Sequence, residues 1–489
     1  MKKIFLLLSF VLSISVFAKA QDLALEMRFD QFKRLTEEAD LRGLPASLYL
    51  NANTLNALNS AFANPAEYTR LITLYTEKLA SDLSRGRMLP TELSGRVRIA
   101  VKPFTGQAAV QIYLSGQLEL RDFVAQLEPK NSMYMRQVQV VGYLRALRNS
   151  HTAEVPQDLV LQNIKLGSTN VKLISYLRTR LNIFGYRVRT DNTIFDEELA
   201  QAVYAFQFDQ KLESDGAVGP NTWGALNRSI GDILMQASVN LDRTRWLPNT
   251  LEPQRIAVNL AEQSFVYFEN NTESLSFKTI NGRTDRQTPI MIDVAKNVVL
   301  NPTWTVPFSI FVKDKLPVLK QDPSYVTRLH MKLYDDLTGL EVDPLTVDWS
   351  LIDSTNLHYT LIQQPGPWNA LGFIKFPLGN PYAIYLHDTD SRALFAKNPR
   401  LFSSGCVRLE KPFELGEKIL GNPKWTVDSL MAATELNPVQ ATESTWLKTK
   451  KPVPVYLLYT TLFQGNDGRI VVLPDSYGID QEMMARLRN

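Results

Sequence analysis

Apolar residues at helical spacing dominate the first part of the chain. Leu55, Leu58 and Phe62 recur three and four positions apart, which is typical of one face of a helix. Similar spacing recurs farther along and predicts a helical scaffold domain over residues 21–157. Nothing in that region indicates chemistry, so we interpret it as a support for the rest of the chain.

The next region, residues 158–229, has the pattern of a smaller helical unit. A glycine that ends a helix (Gly185) and the turn Asp215-Gly216 divide it into three short helices. A helical linker over residues 230–253 follows. This organisation predicts a second compact domain that is separate from the first.

From Arg255 onward the helical period gives way to alternation. Ile256, Val258 and Leu260 fall on one face of a half-buried strand. Further strand-like runs lie at 264–268, 297–300, 382–386 and 453–459. The pattern predicts a mainly β domain over residues 254–460 and a C-terminal tail over residues 461–489.

A segment rich in Lys, Asp and Pro, residues 308–360, interrupts these strands. It is too long for an ordinary connection, and insertions of this kind often act as lids. One helical stretch is predicted within it, near residues 324–336. We expect the insertion to be a helical capping segment that forms a mobile cover over a site.

The N-terminal residues predict export. Lys2 and Lys3 precede an apolar run from Ile4 to Phe17, and Ala18-Lys19-Ala20 fits a cleavage site. We interpret residues 1–20 as a signal peptide. Gln21 follows the predicted cut, so no lipid attachment is expected, and no later apolar run is long enough to predict a transmembrane segment after cleavage.

Composition narrows the possible functions. The chain of 489 residues carries 53 Lys and Arg against 50 Asp and Glu, which is too even for a dedicated nucleic-acid binder. A single cysteine excludes an intramolecular disulfide and any multi-cysteine metal site. His151, His330 and His358 lack the paired spacing of metal ligands, so we predict structural roles for them and no metal or cofactor.

The candidate chemistry lies in two short segments, Tyr385–Thr389 and Ser403–Leu409. A nucleophilic cysteine requires a base or cation, N–H groups that stabilise an oxyanion, and a tight turn. Cys406 with His387 offers the first, and the amides of Gly405 and Cys406 offer the second. Arg408 is positioned to hold the loop or a substrate carboxylate. From residue types alone, Cys406 could equally be a small buried apolar residue and His387 a hydrogen-bonded core residue.

Ordered motifs make the interpretation more specific. Residues 158–229 resemble the three-helix peptidoglycan-binding domain, on Leu166-Gly167, Val171, Leu177, Gly185-Tyr186, Phe195-Asp196, Ala202-Val203, Phe206-Gln207, Asp215-Gly216, Gly219 and Thr222. The later segments resemble the L,D-transpeptidase catalytic domain (YkuD type), whose signature is matched in order by His387, Thr389, Ser403, Gly405, Cys406 and Arg408. Outside that signature the resemblance includes Trp304, Asn369–Gly372 and Lys375-Phe376. Ser404 stands where many smaller members carry histidine.

The resemblance implies a multidomain α+β fold of the large Gram-negative periplasmic type. It would combine a mainly β catalytic domain, the capping segment, the peptidoglycan-binding domain and the helical scaffold. The implied catalytic residues are Cys406, His387 and Gly405, and His387 would be oriented by a backbone carbonyl or by Asp388. The implied substrate-binding residues are Tyr385, Arg408, Ser403, Ser404, Thr389, Trp304 and Asn369.

The same resemblance implies a reaction and a set of partners. Cys406 would form a thioester with a tetrapeptide donor stem, release D-Ala and pass the acyl group to an amine, which makes a 3→3 cross-link. Peptidoglycan stems and glycan are the expected partners, cell-wall synthases are possible ones, and a carbapenem is the expected inhibitor. Three alternatives stay open, namely an L,D-carboxypeptidase, a lipoprotein-tethering enzyme and a non-catalytic wall-binding scaffold.

Overall fold

The computed structural model describes residues 2–93, 95–149, 161–434, 444–465 and 467–488. Side chains are described for these ranges except at residues 2–20, 149 and 488. The side chains of the predicted signal peptide, and the whole of His151, therefore lie outside the described part. Among the described residues, no helix has both the length and the apolar character needed to cross a membrane.

The described residues contain both helices and strands, as the sequence predicts. The helices are α1 (Lys2–Asp40), α2 (Ala52–Ala61), α3 (Pro65–Arg85), α4 (Gln107–Leu114), α5 (Leu120–Leu127), α6 (Ser132–Asn149), α7 (Val171–Ile183), α8 (Glu197–Asp209), α9 (Pro220–Leu226), α10 (Ile230–Trp246), α11 (Phe308–Ile310), α12 (Leu316–Leu319), α13 (Tyr325–Arg328), α14 (Pro412–Leu420), α15 (Val427–Thr434) and α16 (Ile479–Arg488). The strands are β1 (Val97–Arg98), β2 (Arg255–Asn259), β3 (Ser264–Glu269), β4 (Thr272–Gly282), β5 (Ile290–Leu300), β6 (Trp304–Thr305), β7 (Met331–Asp335), β8 (Glu341–Val342), β9 (Tyr359–Gln363), β10 (Ile374–Phe376), β11 (Leu386–His387), β12 (Leu401–Ser403), β13 (Val407–Leu409), β14 (Thr445–Leu458), β15 (Leu462–Gln464) and β16 (Ile470–Val472).

The chain divides into two compact units. One unit comprises residues 1–94, 99–251 and 460–489, and it is mainly helical. The other comprises residues 95–98 and 252–459, and it is mainly β. The mixed helix and sheet organisation predicted from the sequence is therefore confirmed.

The helices of the first unit begin at polar residues that cap them. Asn51 accepts a hydrogen bond from the Thr54 amide at the start of α2, and Asp196 accepts one from the Leu199 amide at the start of α8. Such caps satisfy backbone N–H groups that a helix start leaves without a partner. A single core joins α6 to α10 with the C-terminal strands β15 and β16. Within the predicted tail, the described residues 461–465 and 467–488 thus include two strands and a helix of the helical unit.

The second unit is built on one large sheet. Its strand order is β1-β5-β10-β11-β13-β4-β3-β2-β14, and β14 also pairs with β5. The additional pairing closes the sheet into a ring of strands, which leaves few unpaired edges. Alternating residues of these strands fill the interior, with Val258, Phe265, Ile280, Leu386 and Val407 fully buried.

The capping segment differs from the prediction in its secondary structure. It contains the short helices α11 to α13 and a π-helical turn, Phe311–Lys315. Residues 331–335, expected to continue a helix, form strand β7 of a separate sheet with the order β6-β9-β7-β8. His330 has φ +52°, a left-handed conformation that ends the helix before this strand.

Candidate active site

Strand pairing places one histidine between two cations. In β11, His387 lies directly opposite Lys375 of β10 and opposite Arg408 of β13. Directly opposed residues in a sheet project their side chains from the same face, with Cβ atoms about 5 Å apart. The Lys375–His387–Arg408 row therefore runs across one face of three neighbouring strands.

The same pairing brings the predicted cysteine to the predicted histidine segment. Leu386 and Val407 are opposed in the parallel pair β11 and β13. The Val407 amide also donates a hydrogen bond of 3.2 Å to the Tyr385 carbonyl. Cys406 and Tyr385, which directly precede these strands, therefore lie side by side on the face that carries His387.

The thiol of Cys406 is half-buried and hydrogen-bonded. It donates to the Ala383 carbonyl at 3.3 Å, and the backbone amide and hydroxyl of Tyr385 both donate to its sulfur. Burial raises the pKa of this thiol to about 11, although these hydrogen bonds and the nearby charges of Lys375 and Arg408 lower it. The cysteine thus rests as a neutral thiol near neutral pH.

The turn before the thiol requires glycine. Gly405 has φ +124°, and a Cβ there would lie 3.2 Å from the Ile384 Cδ1 atom. The Ser403 hydroxyl donates to the Cys406 carbonyl at 2.6 Å and accepts a hydrogen bond from the Gly405 amide at 3.1 Å. Because Ser403 occupies that amide, Gly405 is not a free oxyanion donor in this conformation, contrary to expectation. The Cys406 amide is the remaining candidate.

His387 is almost completely buried, with 4% of its surface exposed. Its ring packs edge-on against the Tyr385 ring at a centroid distance of 5.6 Å. Burial and the Arg408 charge lower the pKa of the imidazole to about 3, while the backbone of Asp388 and Leu371 acts in the opposite direction. The imidazole is therefore neutral at physiological pH and available as a base.

The two groups expected to orient His387 differ in the structure. One Asp388 oxygen accepts the Phe373 amide at 3.1 Å, and the other accepts Arg392 at 2.7 Å. Both oxygens of this carboxylate are thus hydrogen-bonded to other residues, so the carboxylate does not orient the His387 ring. The nearby Leu371 backbone supports the other expectation, a carbonyl, although Nδ1 has no hydrogen-bond partner of good geometry among the described residues.

Arg408 is connected to Thr389 by a hydrogen bond. The Arg408 Nη1 atom donates to the Thr389 hydroxyl at 3.2 Å, and Thr389 itself is buried. The buried Arg408 Nε has no hydrogen-bond partner within the described ranges. Thr389 therefore acts as a support, whereas Arg408 keeps an unused donor at Nε among the described residues.

Two predicted substrate contacts disagree with the structure. Asn369 is 0% exposed, and its amide group bonds the Pro302 carbonyl at 3.1 Å and the Leu371 amide at 2.8 Å. Ser403 is 3% exposed and serves the turn described above. Their burial argues against substrate contact and indicates that both residues shape loops.

Sequence reasoning missed Arg286, Asp314 and Lys315, which connect the capping segment to two predicted residues near the thiol. Arg286 forms a bidentate ion pair with Asp314 of the π-helical turn, and it also donates to the exposed Ser404 hydroxyl at 3.2 Å. On the other side, the Trp304 indole donates to the Tyr385 hydroxyl. The Lys315 Nζ atom lies 5.7 Å from the Trp304 ring centroid. For Asp314 and Lys315 the sequence signal was the abundance of Lys and Asp within the predicted insertion, whereas Arg286 had no such signal.

Lys375 is the other residue whose position was not anticipated. Its Nζ atom lies 3.9 Å from the centroid of the Tyr385 ring. The sequence signal was a single charge between two buried apolar residues, Ile374 and Phe376, which places that charge on the opposite face of the strand. Among the described residues, no group of three acidic, histidine or cysteine side chains could hold a metal ion.

Comparison with known proteins assigns the β unit. Residues 253–455 match the family described as "L,D-transpeptidase catalytic domain". Residues 253–455 are therefore similar to an L,D-transpeptidase catalytic domain. Residues 171–226 match "Putative peptidoglycan binding domain", and residues 20–139 match "Scaffold domain". The two resemblances drawn from the sequence are thereby confirmed, whereas the domain boundaries stay predictions.

Matches to the chain were also found among curated proteins and solved structures. A Haemophilus influenzae protein named "Putative L,D-transpeptidase" is 36% identical over 256 residues, which is 52% of this chain and 49% of that protein. The chain thus matches about half the length of that relative. An L,D-transpeptidase structure from Stackebrandtia nassauensis is 11% identical, covering 62% of this chain and 95% of its own, with a TM-score of 0.24. One from Xylanimonas cellulosilytica is 14% identical, covering 62% and 100%, with a TM-score of 0.17.

Proposed function

We propose that the protein is a periplasmic L,D-transpeptidase that forms 3→3 cross-links in peptidoglycan. The observation that carries the proposal is the register of β11 and β13, which sets Cys406 beside Tyr385 on the face of His387. The family match over residues 253–455 supports the reaction class. The match over residues 171–226 supports peptidoglycan as the polymer that is bound.

The proposed first step is acylation of Cys406. Its sulfur attacks the carbonyl that links the third stem residue, meso-diaminopimelate, to the terminal D-Ala. The thiol proton moves to neutral His387, and the oxyanion is stabilised by the Cys406 amide. The C–N bond then breaks, His387 returns the proton to the departing D-Ala nitrogen, and a thioester remains.

The second step transfers the acyl group. The side-chain amine of a second stem attacks the thioester carbonyl and loses a proton to His387. The carbon–sulfur bond breaks, and the sulfur of Cys406 regains the proton. The same amide serves both steps because each passes through an oxyanion. A water acceptor would give hydrolysis instead, and a protein amine would tether a lipoprotein.

Product analysis distinguishes these acceptors. Purified disaccharide-tetrapeptide is incubated with the protein, and the masses of the products are measured by mass spectrometry. Dimers that have lost one D-Ala are expected for transpeptidation, whereas tripeptide alone would indicate a carboxypeptidase. Cys406→Ala is the matched control and should abolish turnover while sedimentation with isolated cell walls persists. Turnover by this variant would overturn the catalytic assignment, and wall binding without any wild-type turnover would indicate a scaffold.

Two further parts of the proposal concern access to the thiol. A carbapenem should acylate Cys406, because its strained carbonyl can occupy the position of the donor carbonyl. Intact mass should rise by the inhibitor mass in the wild type and not in Cys406→Ala. Residues 308–360 should act as a cover, since Asp314 pairs with Arg286, which also bonds Ser404 of the thiol loop. Unchanged turnover after their removal from a folded protein would contradict the cover.

A further inference from the structure

Lys375 is a cation in the site that the proposed reaction leaves without a role. It is half-buried, and its only described side-chain contact is the face of the Tyr385 ring at 3.9 Å. No carboxylate lies within ion-pair distance of its ammonium group among the described residues. Burying part of an ammonium group without a counter-ion is unfavourable. Arg392, by contrast, forms an ion pair with Asp388 at 2.7 Å. The lack of such a pair at Lys375 among the described residues indicates that its ammonium group is available to an anionic group of a bound ligand.

The position of this cation defines what such an anion can be. Lys375 lies directly opposite His387 in the sheet, and its ammonium covers the ring whose hydroxyl bonds the Cys406 sulfur. Any group that it binds is therefore adjacent to the carbonyl under attack. In the donor stem, the carboxylate of the terminal residue is three bonds from that carbonyl carbon, at most about 4 Å away.

The other cation of the row is less suited to this group. Arg408 is partly used by the Thr389 hydroxyl at 3.2 Å, and its Nε is buried. Lys375 instead presents a compact charge with three rotatable donors on a flexible stem. Burial lowers the pKa of Lys375, and the neighbouring Cys406 acts in the opposite direction.

We propose that Lys375 is a substrate-binding residue that pairs with the free terminal carboxylate of the donor stem peptide and so selects stems that end in an unmodified D-amino acid. This inference rests on the proposed function and deepens it. The ammonium places the scissile carbonyl over the sulfur by holding the leaving residue at its far end. When that residue departs with its carboxylate, the ion pair leaves with it, and the ammonium is vacated before the acceptor stem enters.

The test compares two donors that differ in one group. Disaccharide-tetrapeptide ending in D-alanine is compared with the same compound ending in D-alaninamide, and release of the terminal residue is followed by mass spectrometry. The wild type should prefer the free acid by about 10- to 100-fold in kcat/KM, the range expected for one charge-assisted hydrogen bond. Lys375→Met should lose this preference, because its activity should fall on the free acid and stay unchanged on the amide. Lys375→Arg should keep part of it.

Matched variants keep the result interpretable. Lys448→Met removes another strand lysine, an exposed one in β14, and should keep the wild-type preference. Melting temperatures verify that each variant is folded. A Lys375→Met protein that keeps the wild-type preference, or a wild type without any preference, would overturn the inference while leaving the transpeptidase proposal intact. A wild type that releases neither terminal residue would overturn the proposed function itself, and with it this role for Lys375.

Discussion

The protonation state of the Cys406 and His387 pair can be tested by the pH dependence of thiol alkylation. The pKa of the thiol is raised to about 11 and that of the imidazole is lowered to about 3, in both cases mainly by burial. The neutral pair is therefore the resting form across the physiological range. With a pKa of about 11, only about one thiol in 10⁴ is ionised at pH 7.

The assay uses the single cysteine of the chain, so that every alkylated molecule reports on one residue. The protein is treated with iodoacetamide, an uncharged reagent, between pH 5 and pH 10, and the added mass is followed with time. Because only the thiolate reacts, the rate should rise about tenfold per pH unit throughout this range. Cys406→Ala should stay unmodified at every pH.

An ionised resting pair would give a different pH profile in the same alkylation assay. A preformed pair of thiolate and imidazolium would give a rate that is already high near pH 6 and level up to pH 8. Such a plateau would refute the conclusion that burial affects the pKa of the Cys406 thiol more strongly than the charges of Lys375 and Arg408 do. In His387→Asn the rising profile should persist, since the thiol of the resting enzyme does not depend on the ring for its charge.

Three other perturbations test separate parts of the architecture. Gly405→Ala should lower the free energy of unfolding by about 1–3 kcal/mol in chemical denaturation, because of its positive φ and the contact with Ile384; an unchanged value would show that the turn relaxes. Because the fold keeps His387 neutral, its contribution to stability is complete above its ordinary pKa of 6.5 and declines toward pH 3 by about 1.4 kcal/mol per pH unit. The free energy of unfolding, measured at pH 7, 6 and 5, should therefore fall more steeply in the wild type than in His387→Asn. Equal slopes for the two proteins would contradict this. Asp314→Asn should break the ion pair with Arg286, cost at most about 1 kcal/mol, and speed hydrogen exchange in the turn Phe311–Lys315; unaltered exchange there would show that the pair does not hold the cap.

Much of the site was predictable because its residues lie in short ordered segments. Tyr385–Thr389 and Ser403–Leu409 carry the motif, and alternation within a strand predicts which of their side chains share a face. The pairing of β11 with β13 that joins the two segments is a long-range feature. The sequence offers no local signal for that register, and only the family resemblance implied it.

Two of the errors share a physical cause, which is that a motif names a residue but not the direction of its side chain. Asn369 belongs to the resemblance, yet its amide faces inward to the Pro302 carbonyl. Gly405 was expected to donate freely, but Ser403, two residues earlier, turns back to accept that hydrogen bond. The strand at residues 331–335 was missed because its five residues alternate too briefly to outweigh the helix that precedes it.

The path of the chain through the helical unit has a consequence for biogenesis. Thr461 bonds Asn240 of α10, and Leu462 and Val472 fill the core that surrounds Ile233. The whole β unit is thus encoded between two stretches that must meet to complete one interior. During synthesis, part of the apolar surface of the earlier helices stays uncovered until more than 200 further residues have been added. The core of the helical unit can therefore be completed only after the whole β unit has been synthesised.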